Sequence, residues 1–327
     1  MRTIIKKTIS AFLCLLVITL VNFALPRLMP GDPVLMLTGQ NEEAISKAQY
    51  EIYRQKLGVD DPLTVQFGRY GNDLLHGNLG YSYHYNDTIS HLMAGRIPNT
   101  LQLALPAIVI SSFLAVLLGC TAGYQKNKKL DTSVTTGLII IHAIPTFLLA
   151  MILVTVFAFR LRWFPLGGLN SIIVPSNPIG ALADRLTHLV LPILTITLSS
   201  LPSKYLMVRN IVSAAKDEKY VIYAKARGLS ENRIKFIHLF KNICPPFIAL
   251  VGLNLGFIIS GSMITEIIFS INGMGGLMYE AATFRDFPTL QGCLFVTAAI
   301  VILFNIITDL ICVAVDPRQR YGAYDSE

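Results

Sequence analysis

Residues 97–125 read IPNTLQLALPAIVISSFLAVLLGCTAGYQ, and none of these 29 residues is Asp, Glu, Lys or Arg. A helix needs roughly 20 apolar residues to cross the hydrocarbon core of a bilayer, so this run is long enough to span one. Six further charge-free runs of at least 18 residues lie at 8–26, 132–159, 163–183, 186–203, 242–265 and 287–308. The whole chain is 53% hydrophobic and 14% charged, whereas a soluble domain carries about 25% charged residues. The pattern predicts an all-α integral membrane protein.

One of the seven runs does not suit a membrane helix. The run 163–183 contains three prolines, three glycines and two asparagines, although a backbone in lipid must satisfy its own hydrogen bonds. We interpret it as a loop, and we interpret the N-terminal run as a retained helix because it is longer than the apolar region of a signal peptide. Six transmembrane helices are therefore predicted: 1–28, Leu101–Tyr124, Val134–Phe159, Leu186–Ser203, Ile243–Thr265 and Thr289–Val315.

The basic residues divide unevenly between the two sides that six helices define. If the N-terminus is inside, 17 of the 27 Lys and Arg lie on the inner side, nine of them between Lys204 and Lys241. Cytoplasmic loops carry an excess of Lys and Arg, so both termini are predicted to be cytoplasmic. The net charge of +7 then follows mainly from topology, and a nucleic-acid partner is not expected.

The long connection between the first two helices has helix signals of its own. Glu42 and Glu43 begin an amphipathic stretch that ends at Gly58, and Asp61-Pro62 supplies a second helix start. A third short helix is predicted at Asp87–Arg96. The predicted organisation is a first helix at 1–28, an external helical subdomain at 29–98, a five-helix core at 99–316 with a cytoplasmic loop at 204–242, and a cytoplasmic tail at 317–327.

The loop 204–242 is itself patterned as helix. Lys216–Arg227 is predicted to form a short helix that Gly228 ends in the left-handed conformation, with Leu229 as the hydrophobic residue after it. Ser230 then caps a second helix. A short helix across the membrane face can dock into a partner protein, and its basic residues can equally hold it on anionic lipid.

The stretch Tyr220–Pro245, YVIYAKARGLSENRIKFIHLFKNICP, resembles the coupling-loop signature of permease subunits of binding-protein-dependent ABC importers. Ala224, Ala226 and Gly228 match its A-x-A-x-G pattern. Tyr223 stands where the family motif begins with glutamate, a departure that argues against the amino-acid-type permeases but not against the peptide/nickel (dipeptide/oligopeptide) branch. Further blocks of that branch occur in order at Leu28–Pro33, Gly77–Ser82, Arg96–Thr100, Glu266–Phe269, Gly273–Gly275 and Asp316–Arg318.

The resemblance implies the type I ABC importer permease fold in a bacterial or archaeal cytoplasmic (inner) membrane. A second, homologous but different permease would complete a heterodimer in the lipid bilayer, and an extracytoplasmic substrate-binding protein would deliver the substrate. Two ABC ATPase subunits would bind ATP and Mg. The sequence contains no G-x-x-x-x-G-K-[ST] phosphate loop, so this chain is predicted to be no enzyme, with no catalytic residue and no cofactor of its own.

The resemblance also assigns candidate site residues. Those implied to couple to the ATPase are Tyr223, Ala224, Ala226, Gly228 and Leu229. A gate or binding-protein contact is predicted at Glu266, Gly273 and Gly275, with an ordinary helix-end carboxylate as the alternative for Glu266. His142 and Asn254 either line the pathway or form hydrogen bonds between helices. The five cysteines lie in or beside apolar runs without metal-ligand spacing, and no metal is predicted.

Short peptides are the expected substrate, and nickel chelates or glutathione-like thiols are the alternatives for the same machinery. A secondary transporter is a rival class, but it needs intramembrane carboxylates or broken helices, and no Asp or Glu lies centrally in a predicted span. A membrane scaffold explains the helices but not the patterned loop 204–242.

The predicted topology can be tested with single cysteines in a cysteine-free background. Cysteines at Ser230 and Gln319 should resist an impermeant thiol reagent added outside, because the charge distribution places both segments inside. A cysteine at Asn41 should react with it. Labelling of Ser230 or Gln319 from outside, or protection of Asn41, would contradict the topology.

Overall fold

A computed structural model describes residues 2–28, 32, 34–35, 46–124, 128–256 and 258–315. These residues are predominantly helical, apart from one two-stranded hairpin, Tyr81–Ser82 (β1) and Asp87–Thr88 (β2). The helices are α1 Arg2–Leu28, α2 Lys47–Leu57, α3 Leu63–Leu75, α4 Ile89–Tyr124, α5 Lys128–Ala143, α6 Thr146–Leu153, α7 Pro178–Ala215, α8 Lys219–Ala226, α9 Glu231–Arg233, α10 Phe240–Gly256, α11 Ile258–Ile268, α12 Met274–Thr283 and α13 Phe287–Val315. Wide π-helical turns follow α6 at Val154–Arg160 and α9 at Ile234–Leu239.

Five stretches of the described chain are long and apolar enough to cross a membrane, and a sixth is formed by a bent pair. The five are Ile9–Leu28, Ile89–Tyr124, Pro178–Ala215, Glu231–Gly256 and Phe287–Val315. The pair is Asp131–Ala143 and Thr146–Arg160, which meet at 99°. Counted as one span, the pair gives the six that the sequence predicted, and the all-α membrane fold class is confirmed.

The bend corrects the prediction of one continuous helix at Val134–Phe159. The chain leaves the helix after Ala143 and re-enters it at Thr146, with Pro145 between the two parts. Proline has no backbone N–H and restricts the residue before it to extended conformations, so the break falls here. The bend therefore has a local cause that the sequence contained.

Two helices extend beyond the predicted boundaries. The second span begins at Ile89 rather than Leu101, so the predicted short helix Asp87–Arg96 is mostly the first part of α4, which continues through Pro98. The fourth begins at Pro178, where the Asn177 side chain accepts a hydrogen bond from the Gly180 amide, and it runs on to Ala215. Asparagine followed by proline is a typical N-cap and N1 pair. The loop before it is confirmed as non-helical up to residue 177.

The helices α4 and α7 approach closely where α4 carries glycine. A Cβ atom on Gly119 would lie 2.7 Å from Val208 Cγ1, and one on Gly123 would lie 2.6 Å from the Arg209 carbonyl oxygen. Small residues at such positions let helix backbones approach in membranes. Tyr205, Val208 and Val212 of α7 are fully buried in the resulting hydrophobic cluster.

Polar contacts join α5 to the same face of α7. Arg209 forms a bidentate ion pair with Asp131, and the hydroxyl groups of Tyr205 and Thr135 lie 2.9 Å apart. Arg–carboxylate pairs of this forked geometry fix direction as well as distance. The α7 helix is thus held by apolar packing on α4 and by charge on α5.

The described chain separates into two compact units. One comprises Met1–Thr100, Ile259–Met263 and Asn272–Ile302, and the other comprises Leu101–Ile258, Ile264–Ile271 and Leu303–Glu327. The contacts of α4, α5 and α7 given above belong to the second unit.

Within the first unit, the α1 helix is joined to α3 and α13. The ring of Phe23 lies edge-on to Phe67 with 5.2 Å between the ring centroids. Asn22 and Gln291 exchange hydrogen bonds between side-chain amides and backbone carbonyls. These contacts give this unit a small core of its own.

Some of the helix starts and ends predicted for the connection after α1 are confirmed. Ser46 and Gln49 form a reciprocal capping box at the start of α2, and Gly58 ends it with φ of 58°. The predicted start at Glu42 and Glu43 lies outside the described residues, as do most of the block Leu28–Pro33 and the tail 317–327. Asp61 does not cap α3, because its carboxylate instead pairs with Arg69 at 2.8 Å.

The close approach of α4 to α7 predicts a sharp difference between two helical glycines. Gly123→Ala should destabilise the protein by roughly 1–3 kcal/mol, because the backbone carbonyl of Arg209 cannot rotate away. Gly137→Ala on α5 is the matched control, since no atom lies within 4 Å of its Cβ position, and it should be neutral or slightly stabilising. Thermal unfolding of the purified complex measures both, and equal midpoints for the two variants would contradict the packing.

Candidate functional site

In the segment 216–241, Gly228 adopts the left-handed backbone conformation that the sequence predicts for it. Gly228 has φ of 73° and donates its amide to the Lys225 carbonyl oxygen at 2.9 Å. The Leu229 amide donates to Ala224 at 3.3 Å, and Leu229 itself is half-buried. This is a left-handed helix stop with a hydrophobic residue beyond it. The stop predicted at Gly228 is confirmed, although α8 begins at Lys219 rather than Lys216.

The α8 helix has one anchored face and one open face. Val221 is fully buried and Ala224 is 6% exposed, and both lie in the hydrophobic cluster around Tyr205 and Val208. Tyr223 on the other face is 68% exposed. Ile222 beside it is 53% exposed, and adjacent exposed apolar side chains mark a site of contact with a protein or a membrane.

Small residues continue the open face beyond Tyr223. Ala226 is exposed, and no atom lies within 4 Å of the position that a Cβ on Gly228 would take. A side chain at position 228 is therefore opposed by its backbone conformation and not by its neighbours in this chain. We define the open face as Ile222, Tyr223, Ala226, Arg227 and Gly228.

Two lysines and a tyrosine hold the segment in place. The ammonium groups of Lys225 and Lys235 lie 5.1 and 5.5 Å from the ring centroid of Tyr124, the last residue of α4. The Asn242 side chain donates a hydrogen bond to the Tyr220 hydroxyl at 2.7 Å. Ser230 precedes α9 at the N-cap position but makes no capping hydrogen bond there, so its predicted side-chain role is wrong.

The two predicted pathway residues lie in different surroundings. His142 is exposed in the single chain, in the turn before the bend at Pro145. The Asn254 side-chain amide donates to the Leu250 carbonyl oxygen of its own helix at 2.7 Å. This bond lies within one helix, whereas the alternative to a pathway role was a bond between helices.

The predicted gate residues are buried. Glu266 is fully buried within the chain, which does not suit a residue that contacts an external protein. Gly273 and Gly275 are also buried, and a Cβ on Gly275 would lie 2.5 Å from the Met263 Cα atom. Gly275 thus allows a close approach of α12 to α11, while its role in gating stays a prediction.

Lys204 is a residue whose place the sequence did not reveal. The sequence places it among the basic residues of the loop 204–242, but in the structure it lies inside α7 and is fully buried. Its ammonium group donates to the Ser111 hydroxyl at 2.7 Å, halfway along the run 97–125. Without it, 16 of the 27 basic residues still lie on the inner side, so the predicted topology does not change.

A polar network in the other compact unit was also not predicted. Asp286, 1% exposed, accepts hydrogen bonds from the Ser82 hydroxyl at 2.5 Å and from the Thr289 hydroxyl at 2.7 Å. It thereby joins the hairpin to the first turn of α13. Tyr85 donates to Glu280 at 2.5 Å, and burial together with this bond raises the pKa of Tyr85. Asp286 just before Phe287-Pro288 was a readable N-cap signal.

Comparison with known proteins agrees with these features. Residues 115–321 match the family model described as "Binding-protein-dependent transport system inner membrane component", and residues 1–104 match the model of the N-terminal part of the same component. The oligopeptide transport system permease protein AppB of Bacillus subtilis is 31% identical over 97% of this chain and 99% of its own length. The di/tripeptide transport system permease protein DppB of Pseudomonas aeruginosa is also 31% identical, over 93% of this chain and 94% of its own. A putative peptide permease protein of Brucella suis is 33% identical over 94% and 95%.

The chain belongs to the family of inner membrane components of binding-protein-dependent transport systems. It has the type I ABC importer permease fold. Its family membership implies ATPase and binding-protein partners. The resemblance found in the sequence is confirmed.

Proposed function

We propose that this chain is the permease subunit of an ABC importer of short peptides. It pairs with a second, homologous but different permease chain, and the two line the translocation path between them. Two ABC ATPase subunits bind ATP and Mg and hydrolyse the nucleotide, and an extracytoplasmic binding protein supplies the peptide. The open face of α8 is the observation that carries the proposal.

The two faces of α8 suit the transmission of force. Val221 and Ala224 fix the helix to the buried core around α7, so a displacement of α8 must move the spans. On the open face, Tyr223 offers an aromatic side chain for contact with a partner. The small side chain of Ala226 beside it allows this part of the helix to lie in a groove of that partner. Together they support contact with the ATPase at Tyr223, Ala226 and Gly228, while Ala224 and Leu229 serve to position them.

The orientation of the chain follows from the same proposal. The ATPases are cytoplasmic, so segment 216–241 and both termini face the cytoplasm, in keeping with the charge distribution. The exposed position of His142 beside the bend supports a place at the permease pair's shared path, and we retain Asn254 as a second candidate. We keep Glu266, Gly273 and Gly275 as gate candidates, with Glu266 acting from within the chain.

The substrate assignment rests on the relatives. The AppB and DppB proteins are named for oligopeptide and di/tripeptide transport, and each covers nearly the whole chain. A buried recognition site needs several converging hydrogen-bond partners, whereas the spans consist mainly of Leu, Ile, Val and Ala. We infer a permissive path, with specificity residing in the external binding protein.

Substitutions of Ala226 and Ala224 distinguish the face of α8 that docks on the ATPase from the face that anchors the helix to this chain. Ala226→Leu should leave thermal stability unchanged and lower ATPase co-purification several-fold, because the new side chain projects into the open face. Gly228→Glu should likewise lower ATPase co-purification, but it should also lower the unfolding midpoint slightly, because a non-glycine residue in the left-handed conformation costs about 1 kcal/mol. Uptake and co-purification of the tagged complex are the measurements.

Ala224→Leu is the matched control on the buried face, where overpacking should lower the unfolding midpoint instead. Normal uptake and normal ATPase association in both Ala226→Leu and Gly228→Glu would overturn the coupling assignment. If these variants instead lose only binding to anionic vesicles, segment 216–241 is a lipid-binding helix.

Replacement of the binding protein tests where specificity lies. A binding protein of different specificity, with a compatible docking surface, should carry its own substrate through this permease in reconstituted vesicles. Uptake of a labelled tripeptide with the native binding protein should exceed uptake of a nickel chelate or glutathione. A changed substrate range in His142→Ala or Asn254→Ala, with other rates preserved, would show that the permease itself selects.

A further inference from the structure

A small cavity lies in the unit that contains α1 and α3. Its volume is about 210 Å³, and its walls come from the end of α1, the α3 helix, residues 78–83 and the first turns of α13. Its lining includes Arg27, Gln66, Tyr70, Asp73, Tyr81 and Tyr83. Arg69 also lines it, and the Arg69 guanidinium is already paired with Asp61 at 2.8 Å. Neither segment 216–241 nor the gate candidates contribute to it.

Arg27 brings a positive charge to this cavity. Its Nη1 atom donates to the Phe23 carbonyl oxygen at 2.8 Å, and its Nε and Nη2 atoms donate to Gln66 Oε1 at 3.1 and 2.8 Å. Gln66 is held in turn by bonds from its amide nitrogen to two backbone carbonyls. In the described part of the chain, no ion pair includes Arg27. The guanidinium is thus fixed in place by neutral groups, and donor capacity for an anion remains.

The same lining contains the groups that recognise an ammonium ion. Asp73 supplies a carboxylate, of which one oxygen accepts from the Asn78 amide at 3.3 Å. The rings of Tyr81 and Tyr83 have centroids 5.4 Å apart. Burial raises the pKa of Tyr70 to about 12, so its phenol stays neutral and can donate a hydrogen bond. Aromatic faces combined with a carboxylate attract organic cations.

The cavity thus contains groups that recognise an anion and groups that recognise an ammonium ion. Its position in the molecule indicates which kind of ligand carries both charges. Arg27 is in the last turn of the span Ile9–Leu28, so it lies at the depth of lipid head groups. Tyrosines are enriched at that depth. Along the same span Phe12, Val17 and Val21 are 66%, 55% and 53% exposed, which leaves an apolar surface for acyl chains. A volume of about 210 Å³ is also below the roughly 300–1,000 Å³ typical of sites for drug-sized ligands.

We propose that this cavity binds the head group of a zwitterionic, amine-bearing phospholipid, with the phosphate at Arg27 and the ammonium group between Asp73 and the tyrosines. The acyl chains then lie along the exposed side of α1. Such a lipid carries an ammonium group joined to an anion, and a free peptide carries the same two kinds of charge. The size and the membrane depth favour the lipid.

Native mass spectrometry of the whole transporter complex tests the proposal. The delipidated complex is titrated with phosphatidylethanolamine and, separately, with phosphatidylglycerol. Arg27→Gln should weaken phosphatidylethanolamine binding on the order of tenfold, as should Asp73→Asn, because each removes a charged hydrogen-bond partner. Phosphatidylglycerol binding should fall in Arg27→Gln and stay unchanged in Asp73→Asn. Arg54→Gln is the matched control, since Arg54 is a half-exposed arginine of the same unit that pairs with Asp60 outside the cavity.

Gel filtration of each variant complex checks assembly, and Arg27→Lys provides a second variant that keeps the charge and should retain more phosphatidylethanolamine than Arg27→Gln. Equal lipid binding in wild type, Arg27→Gln and Asp73→Asn would overturn the proposal. Displacement by trialanine but not by soluble phosphoethanolamine would identify a peptide subsite and overturn the lipid assignment.

Discussion

Gly119 and Gly123 allow the backbone of α4 to approach Val208, Arg209 and Val212 of α7, and this close approach holds the last turns of α4 against α7. Tyr124 closes α4 at the point where α7 continues towards α8. The ring of Tyr124 is therefore in reach of the ammonium groups of Lys225 and Lys235. A wider separation would remove this contact and the hydrophobic cluster that buries Val221 and Ala224.

The anchored face of α8 connects the open face mechanically to the rest of the second unit. A helix attached only by lipid contacts would slide on the membrane surface when a partner moved it. Because Val221 and Ala224 are packed against the same residues that hold α7, and because Arg209 is paired with Asp131 of α5, a push on α8 reaches several spans at once. This arrangement suits a subunit that is driven from outside itself.

The other compact unit follows a different principle. Asp286 and Glu280 accept hydrogen bonds from the hairpin residues Ser82 and Tyr85, and the His84 ring stacks on Phe284. Polar and aromatic contacts together therefore hold the hairpin on α12 and α13. Buried polar groups are costly unless they are all satisfied, and such networks specify one arrangement. The same region carries the cavity at Arg27, where a fixed charge is held by neutral groups. Polar residues in this unit thus serve both shape and binding.

The sequence by itself determined the number of spans, the helical stop at Gly228 and the family, because each depends on local pattern. Charge-free runs of sufficient length have few alternatives in lipid, and a left-handed stop with a hydrophobic follower is encoded in adjacent residues. The N-cap at Asp286 and the bend at Pro145 are also encoded locally, in an aspartate before a helix start and in a proline within an apolar run. Only the tertiary structure decided that Lys204 is buried against Ser111, that Glu266 is buried, and that Ala224 faces inward while Ala226 faces out. Those outcomes depend on which residues of distant helices come into contact, and a periodic apolar pattern in a membrane helix does not distinguish a lipid-facing side from a packed one.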